Sequence, residues 1–222
     1  MLAVSELFYS VQGEGAFAGT PAAFIRLQGC DVGCSFCDTK HTWSHSETHV
    51  VPACDVLGDA PRPKNSWAWL TIDQLHHWVH MNCAAGPLVV ITGGEPLAQG
   101  EEVYKLAKAM LETGRQVQVE TSGTEDHPVF RNNRIHVTVS PKWEGKRFVL
   151  DTCVENADEV KVVISSQKII DRLRALNIWG PSLYLQPETG PNFQWSAEQC
   201  VKLCKEFGCK LSLQTHTFLN IR

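Results

Sequence analysis

Short β-rich runs alternate with amphipathic helical patterns along this chain, and that alternation limits its fold more than any other feature. The runs are "AAFIRLQ" (22–28), "PLVVIT" (87–92), "RQVQVET" (115–121), "IHVTVS" (135–140), "EVKVVIS" (159–165), "SLYLQ" (182–186) and "KLSLQ" (210–214). Between several of them lie helical patterns at 71–83, 101–113, 166–177 and 196–208. Thr71 and Ser196 read as helix N-caps, and Gly114 and Gly208 as helix stops. Such alternation predicts parallel strands joined by crossover helices. "LVVI" is apolar at consecutive positions, as a strand covered on both faces requires. About seven strands fall short of the eight of a closed barrel, so the expectation is an α/β fold with an open, partial β/α barrel.

In parallel α/β folds the working surface lies at the C-terminal strand ends. Here those ends read Gln28-Gly29-Cys30, Thr92-Gly93-Gly94-Glu95, Glu120-Thr121-Ser122, Ser140-Pro141-Lys142, Gln186-Pro187-Glu188 and Gln214-Thr215-His216. One polar ending means nothing. Six at one topological edge predict a polar rim around a pocket.

At 222 residues the chain suits one domain, 1–222, with 43–70 read as a loop insertion rich in turn formers. A formal charge of −4 gives no broad electrostatic case for nucleic acid or anionic membrane. No run reaches the roughly eighteen apolar residues of a membrane span. The first twenty residues carry Glu6 and Glu14 and no export-signal pattern. With nine cysteines in such a chain, a reducing, cytoplasmic setting is expected, where clustered thiols bind metal or do chemistry.

Three of those cysteines, Cys30, Cys34 and Cys37, crowd "GCDVGCSFCDT". Zinc would want a fourth ligand, for which His41 and His45 are near, although this spacing is unusual for zinc. A redox pair would use Cys34 and Cys37 and leave Cys30 unexplained. Three thiolates suit three irons of a [4Fe–4S] cluster, with the fourth iron open to an exogenous ligand. The cluster is the better reading.

The spacing Cys-x3-Cys-x2-Cys after a first strand, with Phe36 before the third cysteine, resembles the radical S-adenosylmethionine superfamily, as does "TGGEP" at 92–96. Longer stretches are similar to the 7-carboxy-7-deazaguanine synthase family: "ELFYSVQGEGAFAGTPAAFIRLQGC" (6–30), "CDTKHTW" (37–43), "VVITGGEPL" (89–97), "VETSGT" (119–124), "VTVSPK" (137–142), "LQPETG" (185–190) and "LSLQTHTFLNIR" (211–222). Many members carry a long insert between the first two cysteines, where this chain has three residues. The resemblance implies radical ring contraction of 6-carboxy-5,6,7,8-tetrahydropterin to 7-carboxy-7-deazaguanine with loss of ammonia, on the path to queuosine and other 7-deazapurines. It further implies S-adenosylmethionine regenerated at each turnover, Mg2+ as a helper ion, a homodimer, and an electron donor such as flavodoxin or ferredoxin. Rival readings are a glycyl-radical activase, which would lack Gln12-Gly13-Glu14-Gly15 and the closing tail, and a zinc-stabilised binding protein.

Carried over motif by motif, the resemblance assigns the pterin to Val11, Gln12, Gly13, Glu14 and Thr92, with His216 and Arg222 on a closing tail. Arg26, buried by pattern, needs an anion, and bidentate capture of the pterin carboxylate fits its chemistry better than a structural ion pair. Gly94 and Glu95 match the methionine end of the cofactor, and Ser140, Pro141, Lys142, Gln186, Pro187, Glu188 and Thr189 match its other contacts. Thr39 matches the Mg2+ ligand. Elsewhere the plain readings hold. Cys200 and Cys204 fall on an apolar helical face, and Cys54, Cys83, Cys153 and Cys209 form no ligand set. The histidines at 41, 45, 49, 76, 77 and 80 are read as loop and helix residues, and Trp67, Trp69 and Trp78 as packing or dimer contacts.

Overall fold

The computed structural model describes residues 1–58, 61–83, 88–176 and 178–221. Among them, nine strands form one open sheet in the order β3-β1-β2-β4-β5-β6-β7-β8-β9. They are β1 (Leu2–Val11), β2 (Pro21–Leu27), β3 (Ala68–Leu70), β4 (Leu88–Gly93), β5 (Gln116–Thr121), β6 (Ile135–Val139), β7 (Glu159–Ile164), β8 (Leu183–Pro187) and β9 (Lys210–Leu211). From β2 through β9 every neighbouring pair is parallel, which accounts for all seven strands expected from the sequence. The sequence reading missed β1 and β3, which add an antiparallel edge. Helices α1 (Ala53–Leu57), α2 (Ile72–Asn82), α3 (Gly100–Glu112), α4 (Asp151–Glu155), α5 (Gln167–Leu176), α6 (Phe193–Phe207) and α7 (Thr215–Leu219) complete the chain.

The two faces of the sheet differ in chemistry. Ile25, Val89, Ile91, Val119, Val137, Val162 and Leu185 point to the helix side, where they pack with Leu75, Leu106, Met110, Leu173 and Leu203. Burial of this layer is the main stabilising term, at about 25 cal/mol per Å² of apolar surface removed from water. On the concave side Phe8, Phe24, Leu88 and Val90 form a smaller apolar floor against Phe17. Leu88 and Val90 thus face one way and Val89 and Ile91 the other, as the "LVVI" run predicts. Beyond the floor the concave face is polar and buried, with Gln118, Thr138, Glu159 and Lys161.

Local signals explain most element ends. Thr71 caps α2 in a reciprocal box: its hydroxyl accepts from the Gln74 amide N–H at 3.1 Å, and the Gln74 side chain accepts from the Thr71 N–H at 2.8 Å. Gly208 ends α6 in the left-handed region at φ 69°. Ser196 is a correction. The helix starts a turn earlier, with Asn192 at the N-cap, and Ser196 is fully buried inside it. Its hydroxyl donates to the Ile164 carbonyl at the end of β7 and accepts from the Glu188 N–H just past β8. A residue chosen for capping chemistry instead ties two strand ends to a helix. Residues 43–70, expected as a loop, hold α1 and β3 and place Trp67 in the core with no exposure. Trp69 meets it edge-on and is partly exposed.

Candidate active site

The loop that follows β2 is closed at its neck. The N–H groups of Gly29 and Cys30 donate to the carbonyls of Thr42 (2.6 Å) and Trp43 (3.2 Å), and the Gln28 side chain donates to the His41 carbonyl at 3.1 Å. Inside it a turn from Cys37 N–H to the Cys34 carbonyl (3.3 Å) brings the three cysteines round, and all three line one cavity. The Val32 carbonyl accepts from Lys146 N–H at 2.7 Å, which holds the loop from outside. Burial pushes the Cys30 thiol up to about 11 and raises that of Cys34, against the pull of the nearby Lys142 ammonium. Such thiols stay protonated until a metal displaces the proton. Among the described residues no three such side chains converge on a point as a single metal ion requires, but soft sulfur donors spaced along one cavity wall fit the larger iron–sulfur cluster.

The end of β4 is stitched to this loop. Gly94 N–H donates to the Leu27 carbonyl at 3.0 Å and Glu95 N–H to the Gly29 carbonyl at 2.8 Å. A β-carbon on Gly94 would lie 2.6 Å from the Gly29 carbonyl carbon, so the bare residue is required by the seam between strand and cluster loop. The Glu95 carboxylate is saturated from within the chain. It accepts from Leu97 N–H (3.0 Å), the Thr121 hydroxyl (2.6 Å), and the N–H (2.8 Å) and hydroxyl (2.5 Å) of Ser122. Its side chain thereby clamps β4 to β5, and backbone carbonyls of this corner remain as acceptors for an ammonium group.

Along the other strand ends, Ser140, Lys142, Gln186, Pro187, Glu188 and Thr189 line the same cavity. Pro141 is buried and is not among the lining residues. Lys142 donates to the Ser140 hydroxyl at 2.7 Å and stands over the Phe36 ring; its burial lowers the ammonium's proton affinity. Glu188 carries a buried carboxylate oxygen with no partner among the described residues. A buried acceptor without a donor is costly, and the hydroxyls of a ribose would satisfy it. These residues fit S-adenosylmethionine.

The third wall is the turn after β1. Val11, Gln12, Gly13 and Glu14 line the cavity beside Arg26 and Thr92. The spaces at Gly13 and Gly15 are filled from within the chain. A β-carbon at Gly13 would lie 3.1 Å from the His216 backbone nitrogen, and one at Gly15 2.8 Å from the Glu159 carboxyl carbon. The tail is docked on this turn: Thr215 donates to the Gly13 carbonyl through its N–H (3.1 Å) and hydroxyl (2.9 Å), and Gln214 donates to Glu14 (2.9 Å). His216 lines the cavity, while Arg222 lies outside the described residues. Arg26 is half-buried rather than buried; it lines the cavity, and its Nε donates to Glu6 at 3.0 Å, a structural partner. Thr39 also lines the cavity, its hydroxyl 3.7 Å from Cys37 sulfur.

Two functional candidates escaped the sequence reading. Glu120 accepts from the Thr92 hydroxyl at 2.9 Å and the Gln12 amide at 3.2 Å. Lys161, on β7, pairs with Glu14 and stands 3.7 Å from Glu120. Burial raises the Glu14 carboxyl, but the charge and hydrogen bond of Lys161, with Gln214 and His216, outweigh it and hold that group at about 2. Burial lowers Lys161, and the carboxylates of Glu120, Glu14 and Glu159 raise it further than burial lowers it. The available signal was strand alternation: Gln116, Gln118 and Glu120, then Glu159 and Lys161, put polar groups on one face of buried strands.

Comparison with known proteins gives the family and the fold. Residues 24–141 match the Radical SAM superfamily. The chain is 35% identical over 225 residues to the 7-carboxy-7-deazaguanine synthase of Escherichia coli (strain K12), covering 98% of each protein. It is 33% identical to that of Synechocystis sp., covering 99% of this chain and 93% of the relative. The crystal structure of QueE from Escherichia coli superposes with a TM-score of 0.82 at 32% identity, over 96% of this chain and 93% of that one. The chain belongs to the 7-carboxy-7-deazaguanine synthase family of the radical S-adenosylmethionine superfamily.

Proposed function

We propose that the chain converts 6-carboxy-5,6,7,8-tetrahydropterin into 7-carboxy-7-deazaguanine and ammonia, in the biosynthesis of queuosine and other 7-deazapurines. The observation that carries this reading is convergence: the cysteine loop, the Gly-Gly-Glu corner and the Gln-Gly-Glu-Gly turn meet in one cavity. A [4Fe–4S] cluster with S-adenosylmethionine supplies, when bound and reduced, a 5′-deoxyadenosyl radical that can abstract hydrogen from the substrate. Cys30, Cys34 and Cys37 would hold the cluster. Gly94, Glu95, Ser140, Lys142, Gln186, Pro187, Glu188 and Thr189 would form the cofactor wall, with Pro141 fixing the strand end behind it. Glu188 offers its free oxygen to a ribose diol, and Lys142 brings positive charge beside the cysteine loop.

The opposite wall is the substrate's. Arg26, fixed through Nε by Glu6, presents the rest of its guanidinium to a carboxylate. Glu14 and Thr92 present carboxylate and hydroxyl groups to a pterin ring, and the Gln12 amide, engaged by Gln118, Glu120 and the Glu14 N–H, holds the turn behind them beside His216 and the tail. Thr39 and a substrate carboxylate would share a Mg2+ ion that takes its remaining ligands from water. Thr39 lines the cavity with its hydroxyl beside Cys37, and an ion held there would orient the ring. The necessary electron comes from outside, and a flavodoxin or ferredoxin suits the role. The proposed assembly is a cytoplasmic homodimer with no nucleic-acid or membrane partner; no helix among the described residues is long and apolar enough to cross a membrane.

The test is anaerobic reconstitution followed by incubation with 6-carboxytetrahydropterin, S-adenosylmethionine, Mg2+ and dithionite. The expected products are 7-carboxy-7-deazaguanine and ammonia in equal amounts. Reductive cleavage of the cofactor without the deazaguanine would overturn the substrate assignment.

A further inference from the structure

Lys161 projects from the middle of β7 into the substrate side of the cavity, and its side chain is only 7% exposed. Three carboxylates act on its ammonium, from three places in the chain. Glu14 comes from the turn after β1 and is in direct contact; Glu120 comes from the end of β5; Glu159 sits two residues back on β7 itself. One Glu159 oxygen accepts from Ala16 N–H at 2.8 Å and lies 3.5 Å from His136, while its other oxygen is buried with no hydrogen-bond partner among the described residues. Two further groups reach this network: the Lys142 ammonium beside Lys161 and Glu14, and the His216 imidazole beside Glu14.

The other contacts of the two leading carboxylates are neutral donors. Glu14 takes the Gln214 amide, and Glu120 takes Thr92 and Gln12. Among the described residues Lys161 alone has its charge within 4 Å of both carboxylates, whereas Lys142 and His216 act on Glu14 and not on the pair, so Lys161 is the group placed to balance the two negative charges. Carboxylates that converge in a buried site without a cation share a proton, so one becomes a hydroxyl donor. A cation between them keeps both as acceptors.

We propose that Lys161 is a positioning residue that keeps Glu14 and Glu120 ionised together, so this end of the cavity selects a ligand edge made of N–H donors. In a pterin that edge is the 2-amino group with the adjacent ring N–H, which resembles one side of a guanidinium. The proposal rests on the pterin reading above and adds the element that sets the ring's orientation. Carboxylate acceptors at the Lys161 end and Arg26 at the other hold a ring with donors at one end and a carboxylate at the other.

The test uses the reconstituted holoenzyme with S-adenosylmethionine and no reductant. The probes are 6-carboxypterin and its analogue lacking the 2-amino group, with binding followed by titration calorimetry between pH 5.5 and 7.5. Lys161→Met is expected to keep its iron content and cofactor affinity and to bind 6-carboxypterin about tenfold or more weakly, the equivalent of one charged hydrogen bond. The loss should be greatest at pH 5.5, and discrimination against the analogue should shrink. Infrared difference spectra should show a protonated carboxylic acid in Lys161→Met that the wild type lacks. The double variant Lys161→Met/Glu120→Gln removes the mutual repulsion, so it should lose that band, and it serves if the single variant fails to fold. A Lys161→Met protein with no carboxylic acid band and unchanged probe affinity overturns the proposal, as does wild-type affinity in the double variant. Failure of the wild type to bind 6-carboxypterin would count against the pterin reading alone, because the infrared band reports on Lys161 without any ligand.

Discussion

At the scale of single residues, the site separates groups that hold a ligand from groups that hold those groups. Glu95 is of the second kind: four internal donors saturate its carboxylate. Arg26 joins both kinds, since Glu6 occupies Nε while the guanidinium lines the cavity. Arg26→Lys keeps the charge and loses the planar fork. KM for the carboxylated pterin is therefore expected to rise about tenfold, roughly one charged hydrogen bond, with S-adenosylmethionine affinity unchanged. Unaltered kinetics would leave the Glu6 pair as the whole role of Arg26. The cysteines divide in the same way. Cys34 lines the cavity, whereas Cys200 is fully buried in α6, where desolvation raises its thiol to about 12. Anaerobic Cys34→Ala should therefore lose its brown colour and cluster iron, and Cys200→Ala should retain about four irons per chain. A full cluster in Cys34→Ala would refute the ligand assignment.

At the scale of elements, the sequence spoke most clearly where one period served one face. The parallel strands carried apolar residues toward the helices, and the cap at Thr71 and the stop at Gly208 were legible because their chemistry is local. β1 was not legible. Glu6 and Ser10 interrupt its apolar pattern because part of the strand faces a polar cavity. β3, at three residues, is too short for any period to show. Ser196 misled because a hydroxyl near a helix start reads as a cap, and only tertiary structure supplies the Ile164 carbonyl and the Glu188 N–H. Lys161 was hidden by its surroundings: a charged residue in an apolar strand takes its meaning from carboxylates distant in sequence. Ser196→Ala removes both partners at once. It should cost about 1–3 kcal/mol by urea unfolding and weaken S-adenosylmethionine binding, because the Glu188 loop loses its anchor. Full cofactor affinity in a destabilised variant would confine Ser196 to packing.

At the scale of the molecule, the polar network closes the fold end to end. Gln214 and Thr215 reach back some two hundred positions to Glu14 and Gly13, and Glu14 pairs with Lys161 on β7, so one carboxylate ties β1, β7 and the tail together. That arrangement makes stability depend on pH with a definite sign. The Glu14 carboxyl titrates at about 2 in the folded chain against 4.5 for the free side chain. A depressed carboxyl stabilises the fold fully above the unfolded value, and this contribution is lost as pH falls through 4.5 toward 2. Lys161 stays charged across that window, because its own proton affinity is raised. A depression of this size corresponds to about 3 kcal/mol at most. Urea midpoints of the metal-free protein at pH 6 and pH 3 should therefore fall more steeply for wild type than for Glu14→Gln, which has no proton to take up there. The comparison cancels the contribution of other carboxylates, which titrate in both proteins. Glu14→Gln should also start lower at pH 6, since Lys161 then keeps Glu120 at 3.7 Å and loses its closest partner. Parallel losses in the two proteins would show that the Glu14–Lys161 pair, however close, adds nothing net to the fold and serves the ligand alone.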